Sequence, residues 1–352
     1  MKKHILLLTY IFSVIFFSGC TEKLYTSVDI LRPAKVTFPL EANKLLIINN
    51  SATQPIDYGH KTELLNEKAK NIKLNTDSLS IFCVTALAEE LGDKYFFKSI
   101  VLVPTSVNKN NYFFTLAPLK ADTIAQLCKQ YNANVVLSLD RIKVNDKISE
   151  YFLGNNTGTD KPYVSNLEVK YETVWTLHYP AENAKQSTVL FRDTLYWENE
   201  SAQKKHIQTG LPKRYDALID GALYAGRNSV KKFVPWWDKA DRYFFNSKNK
   251  KIKQGMDSVY VKNWSAAISI WKELYTKTKI NYLKAIAANN IAVCLEITGE
   301  IDEAYNYATN SMKLFENITY TDYSSYLMLS NYCTELKIRK QEIQALKQQL
   351  GD

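Results

Sequence analysis

Leu167-Glu168-Val169-Lys170-Tyr171-Glu172-Thr173-Val174-Trp175-Thr176-Leu177-His178-Tyr179 alternates for its whole length. Leu167, Val169, Tyr171, Thr173, Trp175, Leu177 and Tyr179 fall on one side of an extended chain. Glu168, Lys170, Glu172, Thr176 and His178 fall on the other. A period of two sustained this far describes a long strand with one face against a core. After a loop over residues 180–186, Val189, Phe191, Leu195 and Trp197 continue the alternation, so the two strands make a long antiparallel hairpin.

Upstream of the hairpin the pattern is different. Lys44-Leu45-Leu46-Ile47-Ile48-Asn49-Asn50 is a short apolar run closed by turn formers, which reads as a buried strand. Residues 62–72 are charged and are read as a surface helix. Asp77 or Ser78 caps a helix whose apolar face is Leu79, Phe82, Cys83, Ala86 and Leu91, with Gly92 at its end. Ile100-Val101-Leu102-Val103 is a strand stopped by Pro104. Asp122 opens a helix carrying Ile124, Leu127, Cys128 and Tyr131, and Val135 to Leu139 forms the next strand. Strand, helix, strand, helix, strand is the order of a sheet with crossover helices. Residues 213–234 read as a helix in which Gly221, Ala222, Ala225 and Gly226 permit close approach to a sheet. Pro235 stops it, and Trp236-Trp237 with Arg242-Tyr243-Phe244-Phe245 gives a last strand. The element order over roughly residues 40–245 resembles the α/β domain of the curli-secretion lipoproteins and the N-terminal domain of the Tol-system propeller protein. That resemblance rests on no diagnostic motif and implies no functional residue.

The C-terminal part is helical and repeats itself. Asn263-Trp264-Ser265-Ala266-Ala267-Ile268-Ser269-Ile270-Trp271 aligns with Glu300-Ile301-Asp302-Glu303-Ala304-Tyr305-Asn306-Tyr307-Ala308, placing Ala267 and Ala304 37 positions apart. In the second copy Asn290, Ile291, Ala292 and Leu295 take the first helix, Gly299 the turn, and Ala304, Ala308 and Ser311 the second helix. This resembles a tetratricopeptide pair, whose period is ~34 residues. The small residues mark where two helices approach most closely. At the first turn Lys262-Asn263 replaces glycine, and Asn tolerates left-handed backbone angles. Residues 248–262 and 322–350 are expected to add packing helices, the last one as a solvating cap. The resemblance implies a groove walled by the first helices, where Tyr260, Asn289, Val293 and Glu296 are the candidate binding positions.

The N-terminus carries targeting grammar. Lys2 and Lys3 precede an apolar run from Ile5 to Phe17, followed by Ser18-Gly19-Cys20. A basic start, an apolar stretch and small residues before a cut site form a secretory signal peptide. The run is short for a bilayer span of about 20 residues. With cysteine directly after the small pair, the segment resembles the lipobox of bacterial lipoproteins. Phe17 stands where that pattern has leucine. The resemblance implies cleavage between Gly19 and Cys20, lipidation of Cys20, and attachment to the outer membrane facing the periplasm. No acidic cluster follows Cys20, so surface display is not indicated. The expected organisation is a signal peptide over 1–19, a lipidated cysteine with tether and edge strand over 20–40, an α/β domain over 41–247 and a helical domain over 248–352.

Of the formal charge of +9, Lys2 and Lys3 supply two, which leaves +7 after cleavage. Lysine spread over a solvated surface accounts for this, and nucleic acid is not an expected partner. Beyond Cys20 the cysteines are Cys83, Cys128, Cys294 and Cys333, far apart and on apolar helical faces, which reads as buried free thiols.

Catalytic grammar is missing: the chain has no GxSxG, HExxH, phosphate-binding GxxxxGK[ST], dinucleotide GxGxxG or paired CxxC. His60, His178 and His206 are far apart and read as loop or exposed-strand positions, so no metal site, cofactor or catalytic residue is assigned. Glu63, Glu67, Glu89 and Glu90 read as solvated charges. Asp140-Arg141 stands where a strand ends, a place where α/β folds bind ligands, and reads as a local ion pair. The sequence therefore points to a non-enzymatic envelope lipoprotein that binds another envelope protein. The alternative is an oligomeric secretion or assembly component of the curli-export type, which would use residues 163–198 as a membrane hairpin. The oligomeric state stays open.

Overall fold

The computed structural model describes residues 23–39, 41–106, 112–116, 119–154, 163–180, 186–204, 207–318 and 323–351. In chain order its elements are β1 (Lys23–Arg32), β2 (Lys44–Asn49), β3 (His60–Glu63), β4 (Lys70–Asn71), α1 (Leu79–Asp93), β5 (Ser99–Val103), α2 (Ala121–Tyr131), β6 (Val135–Phe152), β7 (Tyr163–His178) and β8 (Ser187–Ser201). Then follow α3 (Arg214–Ser229), a 3-10 turn (Val230–Lys232), β9 (Trp236–Phe245), α4 (Lys250–Tyr260), α5 (Trp264–Lys277), α6 (Asn281–Thr298), α7 (Ile301–Glu316) and α8 (Tyr323–Leu350). A β-rich α/β part thus precedes an all-helical part. The chain divides into two units. One is Ala34–Pro235, and the other joins the residues up to Pro33 with Trp236–Leu350.

In the α/β unit, β2 lies between β5 and β6 and is parallel to both. Its run Leu45-Leu46-Ile47-Ile48 is buried throughout. Leu45 and Ile47 join the larger core with α1 and α3, and Leu46 and Ile48 pack with Ile124 and Cys128 of α2. A parallel strand covered on both faces needs a continuous apolar run, and this one has it. The segment β6 does not end at Leu139. It passes through an irregularity between Leu139 and Arg141, takes β3 on the edge that β2 has left, and pairs with β7 along most of its length. The β7–β8 pairing runs from Tyr163–Ser201 to Leu177–Ser187, the expected hairpin.

Residues 62–72 form no helix. The chain reverses between β3 and β4, which pair antiparallel, with Asn66 in the left-handed region at φ 68°. The segment has too few apolar residues to bury a helical stripe, and the strand pairing satisfies its backbone instead. The small residues of α3 do serve close approach. A Cβ at Gly221 would overlap the Tyr171 ring of β7, and one at Gly226 would overlap the Cys83 carbonyl of α1.

In the helical unit, consecutive helices pack side by side. Ala267 and Ala304 are fully buried at their contacts. Gly299 closes α6 at φ 95°. At the α4–α5 turn the left-handed residue is Lys262, at φ 56°, while the Asn263 side chain accepts from the Ala266 N–H and caps α5. The strand β9 does not extend the seven-stranded sheet. It pairs antiparallel with β1, from Lys23–Phe245 to Arg32–Trp236, and packs on α6. By packing the chain divides at Pro235, so β9 groups with the helices, and the edge strand expected within 20–40 spans Lys23–Arg32 and belongs to the helical unit. The cause is burial: Phe244 and Phe245 sit in the helical core, with Trp271 beside Phe244 and Phe315 beside Phe245.

Two glycine substitutions separate these effects. Gly226→Ala is expected to cost about 1–3 kcal/mol through overpacking. Gly92→Ala, whose Cβ meets no atom within 4 Å, is expected to gain about 0.5–1 kcal/mol, because it removes a flexible residue from a helix. Urea unfolding midpoints of the two variants should move in opposite directions.

Candidate functional site

The groove positions expected from the repeat pattern are separated by the structure. Tyr260 is 63% exposed at the end of α4. Asn289, Val293 and Glu296 are buried on α6, because β9 lies across them. The chain's own extended segment fills that part of the face. Two carboxamides grip its backbone. Asn289 Nδ2 donates to the Tyr243 carbonyl at 2.9 Å. Asn290 Nδ2 donates to the Phe245 carbonyl at 2.8 Å, and its Oδ1 accepts from the Phe245 N–H at 2.8 Å.

Glu296 is the acidic centre of a charge cluster. Arg242 Nε and Nη2 donate to its two carboxylate oxygens at 2.6 and 2.9 Å, and Arg339 donates from α8 at 2.5 Å. Arg242 also reaches Glu335, which pairs with Arg32 of β1. Burial pushes the Glu335 carboxyl up, but Arg242 and Arg32 outweigh it and hold the group below the usual carboxylate range. The Arg242 guanidinium stacks 5.0 Å from the centre of the Tyr332 ring.

Beside this cluster a cleft of about 250 Å³ stays open, walled by Tyr25, Tyr243, Asn289, Val293, Met328 and Tyr332 among others. Buried polar atoms of its wall residues without a hydrogen-bond partner include Asn289 Oδ1 and Tyr243 Oη. Burial pushes the Tyr243 phenol ionisation up, so it remains a neutral donor and acceptor. The cleft thus offers aromatic and aliphatic walls together with Asp241, Arg242, Asn331 and Glu335, an unused carboxamide acceptor on Asn289 and an unused phenol on Tyr243.

Elsewhere, two histidines expected to be exposed are buried. His60 Nδ1 lies 2.5 Å from Asp146 Oδ1, and Arg214 approaches the second Asp146 oxygen at 3.3 Å. His178 Nε2 lies 2.9 Å from Ser138 Oγ, which donates to Asp140 Oδ1 at 2.7 Å. In an acyl-transfer triad the imidazole stands between hydroxyl and carboxylate. Here the hydroxyl stands between the other two, and Ser138 and His178 are sealed from solvent. Asp140 is also bonded by Asn50 and Thr176, and Arg141 pairs with Glu172, so Asp140-Arg141 is not a mutual ion pair. His178 sits at the end of β7 where both faces are covered, and His60 turns toward the core side of β3 beside Asp146, non-local properties that alternation alone does not reveal.

The expected solvated charges are paired on the surface: Glu63 with Lys147, Glu67 with Lys70, and Glu90 with Lys94. Trp237 is exposed, unlike Tyr243, Phe244 and Phe245. Cys83, Cys128, Cys294 and Cys333 are free and buried, and burial pushes the Cys294 thiol up to about 12. Among the described residues no group of three or more His, Cys, Asp or Glu could hold a metal, and no helix is long and apolar enough to cross a membrane. Gly19, Cys20 and His206 lie outside the described residues.

Burial holds the His178 imidazole below its ordinary range, against a smaller opposing pull from Asp140. Between that depressed value and the ordinary ~6.5, the unfolded chain binds more protons than the folded one. The group's contribution to stability is therefore full above pH ~6.5 and is lost as pH falls. In urea titrations the wild type should lose stability relative to His178→Gln as pH is lowered from about 7.5 to about 5.5.

Comparison with known proteins places these features in context. No curated protein matches the chain. Among solved structures, the PelC dodecamer from Paraburkholderia phytofirmans is similar at 12% identity and TM-score 0.24, over 59% of this chain and 98% of that one. A substituted form of the same dodecamer gives 12% identity and TM-score 0.23, over 58% and 96%. The hypothetical protein CT253 from Chlamydia trachomatis gives 13% identity and TM-score 0.17, over 55% and 98%. Residues 253–338 match a second family model, described as Domain of unknown function (DUF6340). Residues 42–245, more than half of the chain and spanning the α/β unit with β9, match the model described as Domain of unknown function (DUF8603), and the chain belongs to that family.

Proposed function

We propose that the protein is a membrane-anchored envelope lipoprotein that acts without catalysis, as a protein–protein interaction module. The observation that carries this reading is the cleft beside Asn289. The α6 face already holds extended backbone through Asn289 and Asn290. The adjoining cleft adds unpartnered Asn289 Oδ1 and Tyr243 Oη to apolar walls. Aromatic and aliphatic surface with polar and charged groups at its border, Asp241, Arg242, Asn331 and Glu335 among them, suits an inserted peptide side chain with its amide neighbours. The helix order α4–α5, α6–α7 and α8, with buried Ala267 and Ala304 at corresponding places, supports reading the helical part as tetratricopeptide-like.

The sequence of residues 1–20 supports the anchor. Strand β1 begins at Lys23, three residues after Cys20. Three residues span at most ~10 Å. A lipid on Cys20 therefore holds the helical unit at the bilayer surface, next to partners that share the membrane.

The alternative, an oligomeric assembly component, draws support from the edge of β8. This strand pairs only with β7 among the described residues, and its 15 residues contain no Pro, Gly or Lys. Such an edge is open to strand addition by a second copy. A membrane role for the β7–β8 hairpin is less favoured, because α3 packs on β7.

Three measurements test the reading. Cys20→Ser should abolish incorporation of an alkyne fatty acid and release the protein from membranes. Tyr25→Ala combined with Met328→Ala, which opens the cleft wall without touching the charge cluster, should remove site-specific cross-links to envelope proteins while leaving the urea midpoint nearly unchanged. Unchanged cross-links would rule out the cleft as the binding surface. A ring-sized particle in detergent would favour the oligomeric alternative.

A further inference from the structure

The α/β unit contains a second pocket, unrelated to the helical cleft. It lies where two adjacent strands send their helices to opposite faces of the sheet. After β2 the chain adds β3 and β4 and then forms α1 on the face of Leu45 and Ile47. After β5 it forms α2 on the face of Leu46 and Ile48. Neighbouring parallel strands with helices leaving on opposite sides open a crevice at their carboxyl ends, the usual ligand position of such sheets. The pocket occupies that crevice. It has a volume of about 120 Å³, and its wall includes Asn49 at the end of β2, Ser106 just after β5, Thr76 and Asp77 just before α1, and Leu79 and Ser80 in its first turn.

Its frame is fixed by hydrogen bonds. Asn49 Nδ2 donates to Ser80 Oγ at 2.9 Å and to the Pro104 carbonyl at 3.0 Å, tying the two strand ends to the helix. Asn49 Oδ1 accepts from Ser51 N and Ser51 Oγ. Gln54 is engaged on both ends by Val144, with its Nε2 also on the Tyr58 carbonyl. One lining group is left over. Thr76 is 94% buried, being 6% exposed, and its Oγ1 has no partner. It stands at the N-terminal end of a 15-residue helix, where the aligned peptide dipoles favour negative charge.

We propose that this crevice binds a small tetrahedral oxyanion, either free phosphate or the phosphate end of a small monoester. Thr76 Oγ1 would donate to it. The Ser51 and Ser80 hydroxyls give their hydrogens to Asn49 Oδ1 and the Asp77 carbonyl and only frame the space. No Lys or Arg lines the pocket, and Asp77 lies at its wall. The site therefore depends on the helix end and the Thr76 hydroxyl, and Asp77 opposes binding.

The test uses the full chain, 15N-labelled, titrated with inorganic phosphate and separately with glycerol 3-phosphate, with glycerol as the neutral control. The expected result is saturable shifts of the Ser80, Ile81 and Gln54 amides with the phosphates and none with glycerol. Binding of inorganic phosphate alone identifies a free-ion site, and tighter binding of the monoester identifies a phosphoryl end. Thr76→Val should weaken phosphate binding about tenfold, the loss of one hydrogen bond to a charged group, and Thr76→Ser should restore it. Asp77→Asn, at an exposed position, should tighten binding and keeps the test open if Thr76→Val fails to fold. Phosphate shifts that map elsewhere, equal shifts with glycerol, wild-type affinity in Thr76→Val, or unchanged or weaker binding in Asp77→Asn would each overturn the proposal.

Discussion

The buried pair of Arg242 and Glu296 organises the helical unit. Both side chains are almost fully removed from water, and the two parallel hydrogen bonds between them are short. Burying two charges costs several kcal/mol per ion before any pairing. That cost is offset only where the remaining donors and acceptors are also used, and here they are: Arg339 adds to Glu296, and Glu335 accepts from both Arg242 and Arg32. These residues come from β1, β9, α6 and α8. The strand ribbon and the helices therefore form one structure, and the chain leaves this unit at Pro33 and returns to it at Trp236.

The same cluster explains why part of the α6 face is closed and part is open. Asn289 and Asn290 spend three hydrogen bonds on the backbone of β9. That leaves Asn289 Oδ1 and Tyr243 Oη facing the adjoining cleft. In the α/β unit the logic is different. Coverage of β2, the start of β6 and the end of β7 on both faces, and of the rest of the sheet on one, buries polar groups that must find partners inside. His60 with Asp146, and Ser138 with His178 and Asp140, are the result. Their geometry is that of internal satisfaction: the hydroxyl bridges base and acid, and solvent does not reach it.

Much of this was legible in the sequence, where the signal was local. The run Leu45 to Ile48, the helical face Leu79 to Leu91 and the 167–179 alternation all appear as read. The hidden parts depend on distant pairing. Val28 to Leu31 reads as extended, but nothing in it names Asp238 or Ala240 as its neighbours. The continuation of β6 was visible as alternation of Ile142, Val144 and Ile148 with Arg141, Lys143 and Lys147, but the irregularity at Leu139 masks it. Asn289 and Glu296 were expected on the wall of a groove, and β9, which covers them, was not foreseen as their partner. A signal existed. Arg242 precedes three aromatic residues, and Glu296 sits in an otherwise apolar helix face; two opposite charges in buried segments have to meet.

The central claim is that β1 and β9 fold with the helices as one cooperative body around Arg242 and Glu296. Native-state hydrogen exchange of the full chain tests it most directly. The amides of β1 and β9 should exchange with the same opening free energy as those of α6, and Glu296→Gln should lower all three together, by about 3–5 kcal/mol for an uncompensated buried charge. Fast exchange of β1 and β9 beside an undisturbed, protected α6 would contradict the account.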